Sequence, residues 1–78
     1  MYRIAMNHIK TSFTYAEVLK GIEQTIHAFA RLYGYGKMDV IKAHAMNDIE
    51  LNINKTYTKE EYDAIIAEVN ANCNLALD

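Results

Sequence analysis

At 78 residues the chain has room for one hydrophobic core, so residues 1–78 are expected to form a single domain. Hydrophobic residues make up 51% and proline is absent, which excludes a disordered or linker-like chain. The net charge of −2 argues against general attraction to nucleic acid, and the single cysteine, Cys73, excludes an internal disulfide framework.

The opening stretch MYRIAMNHIK carries no apolar block of the kind that targets a chain for export, and no later run approaches the ~18 apolar residues of a membrane span. A cytoplasmic protein without membrane attachment is the expectation. Tyr2, Ile4 and Met6 alternate in the manner of a half-buried strand.

From Thr14 onward a helix is predicted over about 14–33. Thr14 and Glu17 have the spacing of a capping box, in which each side chain satisfies a backbone donor the helix leaves open. Phe13 and Val18 flank it as a hydrophobic staple would. Tyr15, Val18, Leu19, Ile22, Ile26, Phe29, Ala30 and Tyr33 then recur at three- and four-residue spacing, so one stripe faces a core. Gly21 lies off that stripe. Gly34 and Gly36 supply the backbone freedom that ends a helix.

The next segment predicts a helix over about 37–47, with Met38, Ile41, Ala45 and Ile49 on one face. Beyond it Ile49, Leu51 and Ile53 alternate among asparagines, which suit helix interiors poorly. A short two-stranded ribbon, about 2–8 with 49–53, accommodates both alternating segments if helices cover it. The last helix is predicted over about 59–73. Thr58 and Glu61 form a second capping-box pattern, and Tyr62, Ile65, Ile66, Val69 and Cys73 form the stripe. The expected fold is mainly α, a small three-helix domain with an optional ribbon, and Ile22, Phe29 and Ile66 belong in its core.

Charge is unevenly distributed. Residues 1–47 hold six basic against three acidic side chains, and residues 48–78 hold two against seven. Such a dipole can steer partners or favour head-to-tail contacts.

Within ARLYGYGKMDVIKAHAM, Ala30, Gly34 and Val40 resemble the skeleton of a helix-turn-helix, which would make residues 26–46 a DNA-binding regulator. Lys37, Lys42 and His44 would then meet the duplex. The motif requires Val40 and Ala43 to face the core, however, whereas the apolar stripe of this helix selects Met38, Ile41 and Ala45. Two acid–histidine pairs at helical spacing, Glu23–His27 and His44–Asp48, share their faces in the way metal ligands must, but neither forms a known signature, and no metal is expected. No phosphate-binding glycine loop, serine elbow or cysteine–histidine pair is recognisable, so neither catalysis nor a cofactor is expected.

What remains is surplus apolar and tyrosine surface. Leu32, Val40, Leu51, Leu75, Leu77 and several tyrosines fall outside the stripes, more than one small core can cover. The expected function is therefore that of a small interaction protein occupying a surface on a larger protein partner, with a homodimer as the other use of the same surface. Tyr35, Lys37, Val40, Leu51 and Tyr57 are the expected contact residues, since tyrosine combines large area with a polar tip. Compact acidic chains of this kind resemble products that mobile elements encode to inhibit host machinery, CRISPR effectors among it.

Overall fold

Two threonines start the two long helices. In the computed structural model, which describes residues 11–77, Thr14 Oγ1 accepts the Glu17 N–H at 3.2 Å while Glu17 Oε1 accepts the Thr14 N–H at 2.9 Å. The same reciprocal pair joins Thr58 and Glu61, at 3.1 and 2.9 Å. Each box supplies partners for backbone N–H groups that a helix start would otherwise leave open. From them run α1, Tyr15–Tyr33, and α3, Lys59–Ala76.

Two short strands lead into these helices: β1 (Ser12–Phe13) ends just before Thr14, and β2 (Tyr57–Thr58) ends on Thr58 itself. The strands pair antiparallel, with Ser12 opposite Thr58 and Phe13 opposite Tyr57. The fold is thus the expected three-helix domain with a ribbon, but the ribbon lies elsewhere. Residues 49–53 form no strand, and the proposed partner segment 2–8 lies outside the described residues. Asparagine explains the difference. Asn52 Oδ1 accepts the Asn54 N–H at 2.8 Å and its carbonyl accepts the Lys55 N–H at 3.0 Å, so the side chain closes a turn where a strand would have continued. Ile53, which the alternation placed with Ile49 and Leu51, is 70% exposed at that turn.

The core is built where three stripes meet. α1 contributes Val18, Ile22, Ile26 and Ala30, α2 (Met38–Ala45) contributes Ile41 and Ala45, and α3 contributes Val69 and Cys73. Phe29 and Ile66 are half-buried rather than buried, packed against this cluster from its edge. Burial also pushes the Cys73 thiol up, which keeps it an un-ionised apolar side chain.

Two polar or glycine positions explain how the helices fit. Gly21 is buried because Tyr62 crosses α1 there, with its hydroxyl where a Cβ would stand. Tyr62 is held in that place by Phe13, whose ring stacks on it at 4.1 Å and 8°. Asn72, on α3, is the one buried polar residue among those described. Its amide donates to the carbonyls of Ala45 at 3.1 Å and Asn47 at 2.9 Å. α2 starts without a side-chain cap, and the side chain that satisfies its far end comes from α3.

Candidate interaction surface

The corner joining α1 to α2 is dictated by Gly34. Its φ of +103° is a conformation that side-chain-bearing residues rarely adopt, and its N–H donates to the Ala30 carbonyl at 2.8 Å. A single 3-10 turn, Tyr35–Lys37, follows at once, and α2 begins at Met38. Three residues are too few to fold a ring back onto the core, so Tyr35 projects and is 62% exposed. Lys37 is exposed beside it, and Val40 is 46% exposed on the outer side of α2.

The last turn of α1 adds two side chains absent from the expected contact set. Leu32 is 79% exposed, and Tyr33, expected in the α1 stripe, is 52% exposed with its ring stacked on Phe29 at 6.3 Å. Leu32 was recognisable as an apolar residue one step off the stripe. Tyr33 was not, because its spacing matches the stripe while the helix end carries it past the core.

The other two expected contact residues do not belong to this surface. Tyr57 is buried, at 5% exposure, and its hydroxyl accepts the Asn52 N–H at 2.7 Å. Lys55 covers its ring with the ammonium 5.2 Å from the centroid. The loop before β2 therefore closes over Tyr57, which acts as a core residue. Leu51, in the same loop, is half-buried against the core.

The phase of α2 differs from the one expected of a helix-turn-helix. Ile41 and Ala45 face the core while Val40 and Ala43 are exposed, the opposite phase to the one a helix-turn-helix requires. Lys37, Lys42 and His44 are all exposed. Lys42 lines a shallow groove with Glu23, His27 and Met38, and His44 Nδ1 donates back to the Val40 carbonyl at 3.0 Å. The two acid–histidine pairs do not meet. α2 ends at Ala45, and Asp48 beyond it has a φ of +64°, which removes it from the face of His44. Among the described residues no three histidine, cysteine, aspartate or glutamate side chains gather as a metal would need.

On another part of the molecule a cleft of about 280 Å³ runs between residues 48–50 and α3. It is open to solvent, and its lining mixes the apolar Ile49, Ala64 and Ile65 with the acidic Asp48, Glu50 and Glu68. The two lysines of this half are already engaged, Lys55 with Glu61 at 2.7 Å and Lys59 with Asp63 at 2.9 Å. Lys55 holds the Glu61 carboxyl below the usual carboxylate range, chiefly through their hydrogen bond, and Glu61 raises Lys55 in return.

No described helix is long and apolar enough to cross a membrane. Compared with protein-family models, curated proteins and solved structures, the chain matches none of them.

Proposed function

We propose that this protein is a small non-catalytic interaction domain that acts by occupying a surface on a larger protein partner. The observation that carries this reading is the α1–α2 corner, where Leu32, Tyr33, Tyr35 and Val40 are all between 46% and 79% exposed within nine residues. Large apolar side chains gathered outside the core mark protein contacts more often than scattered ones do. A ring at a tight turn also has little freedom left to lose on binding. Lys37 beside it supplies charge to steer an acidic partner.

Size and composition add the class of partner to test first, a host complex inhibited by a mobile element's product, such as a CRISPR effector. The experiment places a photo-crosslinking amino acid at Tyr35 and, in a control chain, at the exposed Asn70 of α3. Crosslinking from position 35 alone, to one protein other than this chain, supports the reading. Equal crosslinking from both positions, or from neither, contradicts it. Retention on duplex DNA that falls steeply with salt would favour the DNA-binding alternative through Lys37, Lys42 and His44.

A further inference from the structure

We propose that the acid-flanked cleft between residues 48–50 and α3 receives the α1–α2 corner of a second copy of this chain, so that copies associate head to tail. The inference rests on the corner being an exposed docking element, as proposed above, and adds the surface that complements it.

Complementary charge makes the match. The cleft is lined by Ile49 and Ile65 together with three acidic residues, Asp48, Glu50 and Glu68. Both lysines of that half pair with other acids, leaving the cleft's own carboxylates to attract a cation from outside. The corner carries the reverse pattern, an apolar projection of Leu32 and Tyr35 beside Arg31 and Lys37. At about 280 Å³ the cleft is slightly below the roughly 300–1,000 Å³ of small-molecule pockets, and it is open, which suits one protruding ring better than an enclosed metabolite. Opposite charges on facing rims speed encounter and reject like-charged alternatives. Because corner and cleft are unlike surfaces, each contact leaves one of each free, and copies can continue to add. Contacts of this size are small and transient, so association belongs to high protein concentration.

Sedimentation velocity of the purified full chain tests it, from ten to several hundred micromolar, at low and high salt. The wild type is expected to gain mass with concentration at low salt and to lose that gain at high salt. Two variants separate the surfaces: Arg31→Glu with Lys37→Glu at the corner, and Glu50→Lys with Glu68→Lys at the cleft. Each alone is expected to associate at least fivefold more weakly than wild type, with its unfolding midpoint kept, and an equimolar mixture of the two is expected to associate again. A wild type that stays monomeric throughout, or a mixture that behaves as its separate parts do, overturns the proposal. Neither result touches the foreign-partner reading, because position-35 crosslinking to that partner does not require the cleft and is expected to survive the Glu50→Lys, Glu68→Lys change.

Discussion

The α1–α2 corner and the loop that leads into α3 each carry a tyrosine in a connecting segment, and they use it in opposite ways. At the corner, one residue in the left-handed region is followed by a three-residue turn, and Tyr35 projects at 62% exposure. In the longer loop before β2 the chain has room to turn back. Tyr57 is buried at 5%, its hydroxyl bonded to the Asn52 N–H and its ring beneath Lys55. The difference is one of reach and of hydrogen-bond supply. A tyrosine becomes core when the surrounding chain can bring a partner to its hydroxyl, and surface when the turn is too short to do so.

The sharpest way to break this comparison is to remove the buried ring. Tyr57→Ala is expected to cost about 3–5 kcal/mol in urea denaturation, the range of large aromatic truncations in cores. A loss below about 1 kcal/mol would mean that the loop does not close over it.

Asn72→Leu comes next. It leaves the Ala45 and Asn47 carbonyls without their donor at the end of α2, where the loop starts. The expected cost is about 1–3 kcal/mol, and hydrogen exchange should speed at Asn47 and Ile49 before it does in α1.

Thr58→Ala removes the oxygen that caps α3 and is expected to cost about 1 kcal/mol. The parallel change Thr14→Ala should match it, since the two boxes share one geometry.

A smaller effect is the pH response of the exposed Lys55–Glu61 pair. Glu61 titrates lower in the folded chain than in the unfolded one. The stability it contributes is therefore present above the ordinary carboxylate range and is lost as pH falls through its lowered value. Lys55→Met should flatten that part of the acid unfolding curve, and added salt should do the same to wild type.

Which parts of this fold could be read from the sequence follows from the range of the interactions. The long helices could, because a capping box and a stripe are local. The predictions near 14–33 and 59–73 meet helices at Tyr15–Tyr33 and Lys59–Ala76. α2, predicted near 37–47 and found at Met38–Ala45, was recognisable from its inward Ile41 and Ala45. The side chain that closes its end comes from Asn72, 27 residues beyond Ala45, and no local pattern announces it. The ribbon was not legible either, since strands of two residues have no periodicity, and the alternation at 49–53 was ended by the asparagine turn. For the candidate surface, Tyr35, Lys37 and Val40 could be placed from the glycine turn and the helix phase. The burial of Tyr57 is not legible in the sequence, because it depends on a hydrogen bond from Asn52 set by the path of the loop rather than by composition. Gly21 likewise gains its meaning only from Tyr62, which reaches it from another helix.

The smallest expected effect on folding is also the most direct measure of the central claim, that the corner is a contact surface and not part of the core. Tyr35→Ala should leave the unfolding free energy within about 0.5 kcal/mol of wild type, as surface substitutions do. Its binding to the protein crosslinked from position 35, followed by titration calorimetry, should weaken by at least about 30-fold, or about 2 kcal/mol. An unfolding midpoint that falls as it does for Tyr57→Ala, with unchanged affinity in the folded fraction, would show that Tyr35 serves the fold and contradict the claim.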